Sequence, residues 1–112
     1  MAKKKGYVYL LCDTLNEGVY KIGVTKGSLE NRIKKLQTGN PGEIYLCDSH
    51  ETDIPFFIEK HLHLRFSSKK EIGEWYRLTN EESLSFRKIC NEIEEMYEIM
   101  KDNFFFKKLK IK

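Results

Sequence analysis

Short apolar segments alternate with polar turns along the first half of the chain. Residues 7–12 are β-branched, aromatic and aliphatic, which is typical of a buried strand. Residues 13–18 are mostly polar and end in glycine, which predicts a turn, and residues 19–24 have the composition of a second strand. We therefore expect an antiparallel hairpin whose loop is longer than the tight two-residue type.

The pattern next predicts two helices with a strand between them. Ser28 is a typical N-cap for the first helix, which Gly39 ends. Three apolar residues recur at helical spacing between them: Leu29, Ile33 and Leu36. Residues 43–50 predict a third strand, and Pro55 opens a second helix, because proline is tolerated in a first helical turn. The inner face of that helix would consist of three apolar residues: Ile58, Leu62 and Phe66.

The pattern changes again toward the C-terminus. Residues 67–73 predict a polar loop and residues 75–78 a short strand. Thr79 and Glu82 have the spacing of a capping box and begin a long amphipathic helix. Its apolar stripe would be formed by five residues: Leu84, Ile89, Ile93, Met96 and Met100. Residues 104–112 interleave phenylalanine and lysine, and we expect this tail to dock on the domain or on a second copy, because three exposed phenylalanines are costly.

Length and composition indicate a single domain spanning residues 1–112, with 40% apolar residues available for a modest core. The three cysteines, Cys12, Cys47 and Cys90, form no CxxC pair. This argues against a zinc knuckle or a disulfide framework and favours buried, reduced thiols in an intracellular protein. The basic start is not followed by an apolar run of signal-peptide or membrane-span length, so we expect a soluble cytoplasmic protein without a membrane partner.

Charge is distributed unevenly, although the formal net charge is only +3. Residues 1–40 carry eight Lys/Arg against three Asp/Glu, whereas residues 79–102 carry three against seven. The last ten residues add four lysines and no acid. A basic front, an acidic helix and a basic tail suggest that one face meets an anion, but from charge alone an ordinary solvated surface is the simpler explanation.

Several short motifs occur in a fixed order within residues 6–78. Tyr-Val-Tyr-Leu-Leu comes first, then Tyr-Lys-Ile-Gly, then an arginine in the first helix, and finally Ile-Glu-Lys-His-Leu-His and Gly-Glu-Trp-Tyr-Arg-Leu. This ordered set resembles the GIY-YIG nuclease superfamily, and within it the small phage-type branch. The resemblance implies an α/β (α+β) domain with a central three-stranded antiparallel sheet flanked by helices, to which the long C-terminal helix is added. It also implies hydrolysis of DNA phosphodiester bonds with a divalent metal.

The resemblance assigns catalytic roles to three residues of the first half. Tyr9 matches the tyrosine of the first motif and would take a proton from the attacking water, which needs a nearby cation because a free phenol has a pKa of about 10. Lys21 stands where the second motif has tyrosine, and its ammonium would lower the pKa of Tyr9 or hold a phosphate oxygen. Arg32 would bind the phosphate and stabilise transition-state charge. The alternatives are a core aromatic, a strand lysine and a surface arginine.

Glu59 is the candidate metal ligand, because Mg²⁺ or Mn²⁺ prefers oxygen ligands and often takes one or two carboxylates. A glutamate on a mostly apolar helix is an unusual placement, although a solvated edge with a neighbouring cation is the alternative. His63 lies four residues later and shares a helix face with Glu59, whereas His61 points away. His63 would hydrogen-bond a phosphate, a water or Tyr9, or it is a structural histidine.

Five further residues are candidate contacts to the substrate: Tyr7, Tyr20, Gly23, Lys35 and Tyr76. Tyr7 shares a strand face with Tyr9, so sequence alone does not separate the two. Tyr20 points to the face opposite the motif lysine. Gly23 either allows a close backbone approach or ends its strand. The last of the five is expected in the core or in the groove.

The sequence therefore predicts a small metal-dependent DNA endonuclease that uses Mg²⁺ or Mn²⁺ and no small-molecule cofactor. A lone domain would nick one strand, and a homodimer would break both. A catalytically silent nucleic-acid-binding module of the same fold is the alternative, because lysine stands at the second tyrosine position. A third reading is a structural or regulatory homo-oligomer assembled through the acidic helix and the aromatic tail.

Overall fold

The computed structural model describes residues 5–102. The strands of this part of the chain are β1 (Gly6–Asp13), β2 (Val19–Thr25), β3 (Ile44–Thr52), β4 (Lys70–Ile72) and β5 (Trp75–Arg77). Its helices are α1 (Leu29–Gln37), α2 (Pro55–Arg65), α3 (Asn80–Leu84) and α4 (Phe86–Asp102), with a 3-10 turn, Ser67–Lys69, after α2. The predictions made for the basic start and for the aromatic tail, residues 104–112, lie outside the described residues.

The five strands form one antiparallel sheet in the order β3-β1-β2-β5-β4, so the fold is α+β. The prediction of three strands was wrong in number. The three strands of the predicted central sheet are β1, β2 and β3. The short strand predicted at residues 75–78 is β5, which joins the same sheet beside β2, and β4 was not predicted. All three residues of β4 are exposed, and a strand of that length is too short to show a period of two, so the segment resembles a polar loop in sequence.

Helices cover both faces of the sheet, and each face has its own core. α2 and α4 pack on the face that carries Val8, Leu10 and Ile22, and this is the main core. α1 packs on the opposite face against a smaller cluster that contains Tyr9 and Leu11. Because side chains alternate along β1, neighbouring residues of this one strand enter different cores, and Tyr9 lies under α1.

The first two helices agree with their predicted apolar faces. The three predicted inner residues of α2 are buried in the main core: Ile58, Leu62 and Phe66. The three periodic residues of α1 pack, half-buried, on the smaller cluster: Leu29, Ile33 and Leu36. Ser28 caps α1 as predicted, since its hydroxyl oxygen accepts a hydrogen bond from the backbone of Asn31 (3.1 Å).

The predicted long C-terminal helix is divided at Ser85. The capping box is confirmed, because Glu82 N donates to Thr79 Oγ1 (3.1 Å) and Thr79 N donates to Glu82 Oε1 (2.9 Å). Leu84 was wrongly assigned to the apolar stripe and is 84% exposed, while Phe86 enters the main core in its place. Met96 and Met100 are also exposed, and the buried residues of α4 are Phe86, Ile89, Cys90 and Ile93.

Only one of the three free cysteines is buried, so the prediction of three buried thiols was wrong for two of them. Cys90 lies in the main core, where burial raises the pKa of its thiol to about 12. Cys12 is half-buried and Cys47 is exposed, because β3 is an edge strand of the sheet. Among residues 5–102, none of the helices has the length and apolar composition required to cross a membrane.

Asp13 joins the two loops that set the position of α1. Its carboxylate accepts hydrogen bonds from the backbone N–H of Leu15 (2.9 Å) and the side-chain amide of Asn40 (3.1 Å). These bonds, chiefly the one from Leu15, hold the pKa of Asp13 below its usual range. Gln37, the last residue of α1, donates to the carbonyl of Gly42 (2.8 Å) in the same loop. The end of α1 is thereby tied to the end of β1.

We expect Asp13→Ala to lower the free energy of unfolding by about 1–3 kcal/mol, because the donors on Leu15 and Asn40 lose their acceptor. A depressed pKa means that this stabilisation is present above the unfolded value, about 3.9, and is lost as the pH falls through the lower folded value. Urea unfolding at neutral and acidic pH measures both effects. Glu17→Ala, which removes an exposed acid from the same loop, is the control, and an equal loss there would contradict the assignment.

Candidate active site

The candidate site lies where β5 stops pairing with β2. The β2–β5 register runs only from Val19 to Lys21, so the edge of β2 is open beyond that point. Two groups satisfy the backbone of Ile22 there. Its N–H donates to the carbonyl of Glu74 (3.1 Å), and its carbonyl accepts a hydrogen bond from Nε2 of His63 (3.1 Å). The residues around this stretch of the sheet edge form the candidate site, which is called the cleft below. The surface depression here is lined by residues that include Glu59, His63 and Glu74, while Tyr9, Lys21 and Arg32 lie outside its lining.

Tyr9 lies directly against Gly23 of the neighbouring strand. The two residues are opposite each other in the β1–β2 register. A β-carbon on Gly23 would stand 2.6 Å from Cζ of the Tyr9 ring, closer than real β-carbons approach other atoms. Only glycine leaves this space free. The close approach predicted at Gly23 therefore involves the Tyr9 ring, and the residue lies within β2 rather than at its end.

Arg32 of α1 donates from Nε to the hydroxyl oxygen of Tyr9 (3.2 Å). Burial raises the pKa of Tyr9, whose residue surface is only 1% exposed, while the hydrogen bond and charge of Arg32 lower it. The carboxylates of Glu74 and Glu59 raise it further, and the net pKa is above that of a free phenol. The cation that contacts Tyr9 is thus Arg32, and Lys21 has a different partner.

Lys21 projects from β2 into the cleft and forms an ion pair with Glu74, with 3.3 Å between Nζ and Oε1. The same ammonium lies 5.6 Å from the centroid of the Trp75 ring, within the range of a cation–π contact. The Lys21 side chain is only 14% exposed. The register places Lys21 on the same sheet face as Tyr9, and Tyr20 packs against the main core on the other face, as predicted.

Glu59 and His63 reach the cleft from α2, on the opposite side of the sheet from Tyr9. Their four-residue spacing was predicted to place them on one face, and Oε2 of Glu59 lies 3.9 Å from Nε2 of His63. Burial raises the pKa of Glu59; His63 and Lys21 oppose this shift, and the nearby carboxyl of Glu74 adds to it. The pKa of Glu59 therefore lies above its usual range.

A third potential ligand, Glu74, completes a group that fits a divalent cation. One ligand atom from each of Glu59, His63 and Glu74 lies within 4.8 Å of the other two. Paired carboxylates in a partly desolvated cleft are the donors that Mg²⁺ or Mn²⁺ prefers. Because Nε2 of His63 already donates to the carbonyl of Ile22, the two carboxylates are the better ligands.

Three of the other predicted substrate contacts, Tyr7, Tyr20 and Lys35, lie outside the lining of the depression, whereas Tyr76 belongs to it. Tyr7 borders a separate depression on the β3 side of the sheet. Tyr20 packs against the main core, and Lys35 is exposed on α1. Tyr76 is buried, and its ring stacks on that of His63 with 5.4 Å between centroids. It therefore supports His63 from within the core.

Glu74 is the site residue that the sequence did not reveal. In sequence it is a lone glutamate between a polar loop and a short strand, which is common in turns. Two signals were available. Glu74 belongs to the Gly-Glu-Trp-Tyr-Arg-Leu motif, and the preceding Gly73, with φ of +55°, marks the tight turn that returns the chain toward β2. The pairing of β5 with β2 then brings Glu74 beside Lys21, and no local pattern predicts that long-range contact.

A family model described as the T5orf172 domain matches residues 6–99. This range includes all the residues of the cleft, from Tyr9 to Glu74, and it ends within α4. Neither a curated protein nor a solved structure shows significant similarity to the chain.

We expect Gly23→Ala to lower the free energy of unfolding by about 1–3 kcal/mol, because the added methyl group overlaps the Tyr9 ring and one of them must shift. Gly27→Ala is the matched control, since the nearest atom to an added β-carbon there is Thr25 Oγ1 at 4.0 Å. That change should stay within about 0.5 kcal/mol. Urea unfolding of both variants measures the difference, and equal losses would mean that Tyr9 does not occupy the space over Gly23.

Proposed function

The chain belongs to the T5orf172 domain family, and from this premise we propose that it is a metal-dependent endonuclease of the GIY-YIG type that hydrolyses DNA phosphodiester bonds. This domain is found in phage-type, GIY-YIG-like nuclease-associated proteins, which supports a nuclease-related or DNA-binding role. The proposal is supported best by the interactions among residues that the motif resemblance selects from distant parts of the sequence. Arg32 donates a hydrogen bond to Tyr9, the charge of Glu59 acts on both of them, and the charge of Lys21 acts on Glu59.

Two cations of the cleft are suited to bind the scissile phosphate. Arg32 uses Nε to contact Tyr9, and a guanidinium has further N–H donors that suit phosphate oxygens. The bond to Tyr9 raises the pKa of Arg32, so it stays charged. Lys21 provides a second positive charge on the same side of the sheet. Together they would orient the phosphate and stabilise the charge that develops on its oxygens.

Tyr9 would act as the base that takes a proton from the attacking water. Its phenolate form would be stabilised by the Nε–H donor of Arg32, whereas burial and the two carboxylates oppose its formation. Glu59 and Glu74 would hold Mg²⁺ or Mn²⁺. When bound, a divalent cation would supply positive charge that offsets both the carboxylates and the phosphate.

The raised pKa of Tyr9 favours a second candidate function, a nucleic-acid-binding module that does not cut DNA. A phenol that stays protonated would donate a hydrogen bond to a phosphate oxygen instead of accepting a proton from water. The two cations of the cleft would bind the backbone in either case. This module would leave plasmid DNA intact and would shift its mobility in a salt-dependent way.

The nuclease proposal predicts that the purified protein converts supercoiled plasmid into open-circular or linear DNA when Mg²⁺ or Mn²⁺ is added. Arg32→Ala should lower the cleavage rate by about 100- to 1,000-fold, as is typical when a donor to developing charge is removed. Glu59→Ala should abolish cleavage. Lys34→Ala is the control, because Lys34 is an exposed cation of the same helix. Intact plasmid with a salt-sensitive mobility shift would refute the nuclease and support the binding module.

Glu59→Gln should remove the rise in melting temperature that Mn²⁺ gives the wild-type protein, while the metal-free variant stays at least as stable. The raised pKa of Glu59 means that its ionised form is disfavoured in the folded state, so the wild type loses stability at neutral pH relative to the variant. That difference disappears as the pH falls through the folded pKa, which lies above the free value of about 4.3.

Over the same pH range, the affinity of the wild type for Mn²⁺ should fall, because the proton and the cation compete for Glu59. Thermal melts in EDTA and in Mn²⁺ across a pH series measure both effects. Glu30→Gln, on the exposed surface of α1, is the control. A Mn²⁺-dependent rise in melting temperature that survives Glu59→Gln would exclude Glu59 as a ligand.

A further inference from the structure

The backbone of Glu74 is fixed beside Lys21. Gly73, with φ of +55°, turns the chain out of β4, and the carbonyl of Glu74 then accepts a hydrogen bond from Ile22 N (3.1 Å). This bond continues the β2–β5 ladder by one position beyond Lys21 and Trp75. The side chain of Glu74 is therefore anchored to the same strand that carries the lysine.

Two contacts hold the Lys21 ammonium in the cleft. Glu74 Oε1 lies 3.3 Å from Nζ, and the Trp75 ring lies 5.6 Å from it. A lysine side chain has high rotational freedom, so a lysine that must meet a phosphate loses entropy unless other groups already restrict it. The Lys21 side chain is little exposed and has Glu74 and Trp75 beside it, which indicates that this restriction exists before substrate binds.

We propose that Glu74 is a positioning residue of this site, which holds the Lys21 ammonium on the sheet face that carries Tyr9, ready to meet a phosphate. The proposal rests on the proposed function, since it assigns Glu74 a role in that reaction. It differs from the ligand role of Glu74, because here the carboxylate acts through Lys21.

The β4–β5 hairpin contains a second ion pair, which allows the proposed role of Glu74 to be compared with an ordinary surface ion pair. Arg77 Nε lies 3.0 Å from Glu71 Oε2, and both of these side chains are well exposed. Exposed pairs of this kind contribute little, because water competes for both partners. Glu71 is thus a matched control for Glu74. It has the same side chain and belongs to the same hairpin, but its partner is an arginine and not Lys21.

The Glu74→Gln substitution could change the cleavage rate in either direction, because the charge of Glu74 also acts on Tyr9. Its carboxylate raises the pKa of Tyr9, so removing the charge would by itself ease ionisation of the phenol and speed cleavage. A positioning role predicts the opposite, since a Lys21 released from its partner meets the phosphate less often. Faster cleavage by Glu74→Gln therefore overturns positioning. Slower cleavage supports it where the affinity for Mn²⁺ is unchanged, because the loss of a metal ligand would also slow the reaction.

The test is a double-mutant cycle on plasmid nicking with Glu74→Gln, Lys21→Met and the double variant, with Glu71→Gln as control. We expect Glu74→Gln to lower kcat by roughly 10- to 100-fold with little change in KM. At saturating Mn²⁺, which offsets a weakened metal site, the double variant should be no slower than Lys21→Met, because Glu74 acts through the lysine. Losses that multiply, or a weakened Mn²⁺ affinity that accounts for the whole effect, would overturn the positioning role.

A second measurement reads Lys21 itself and does not depend on cleavage. Lysine acetylation followed by peptide mass spectrometry gives the rate at which the amine of each lysine reacts, and the exposed Lys34 serves as the internal reference. Lys21 should react several-fold more slowly than Lys34 in the wild type and in Glu71→Gln, and approach the rate of Lys34 in Glu74→Gln. An unchanged Lys21 rate in Glu74→Gln would overturn the proposal.

The two measurements also separate this inference from the nuclease proposal. If the wild type leaves plasmid intact while Glu74→Gln exposes Lys21 to acetylation, the nuclease assignment fails. The contact by which Glu74 holds Lys21 is then still supported. If the wild type cuts plasmid and neither readout responds to Glu74→Gln, the nuclease stands and the positioning role fails. Thermal melts of each variant confirm that the fold is retained in the comparison.

Discussion

The backbone of Ile22 and Gly23 fixes the positions of several other groups of the cleft. Gly23 provides the space that the Tyr9 ring occupies, and Ile22 binds the carbonyl of Glu74 and the imidazole of His63 through its own N–H and carbonyl. Groups from β1, β5 and α2 are thereby placed relative to two consecutive residues of one strand. Because the β1–β2 register fixes these two residues, a slip of one position would move the Tyr9 hydroxyl to the other face of the sheet.

The charges in the cleft are balanced without being fully paired. The cleft contains two cations, Lys21 and Arg32, and two carboxylates, Glu59 and Glu74. The partner of Lys21 is a carboxylate, whereas the partner of Arg32 is a phenol. The pKa values of Tyr9 and Glu59 are both raised, burial being the main cause, with Glu74 contributing to each. The anionic forms of Tyr9 and Glu59 are thus disfavoured, and a bound cation would stabilise them. This is the physical basis for expecting a cation there.

Sequence patterns predicted β1 to β3, α1, α2 and the short β5, and missed β4. α1, α2 and β2 each present several residues to one core, and β1 is apolar along its length because its two faces enter different cores. β4 has three exposed residues and shows no pattern. The break at Ser85 depends on Phe86 entering the core, a tertiary preference that helix spacing does not encode. The motif residues of the cleft were found by resemblance, and Glu74 was missed because its partner lies in a distant strand.

The shortness of β5 explains why the site forms at this edge. An open strand edge exposes unpaired backbone groups, and proteins usually cover or shorten such edges. Here β5 pairs with three residues of β2, and His63 and Glu74 then satisfy the next backbone groups. Because a side chain from α2 replaces a further strand, groups from the α1 face and from the α2 face approach the same stretch of edge. A longer β5 would complete the ladder and separate Tyr9 from Glu59, so the truncated strand itself creates the cleft.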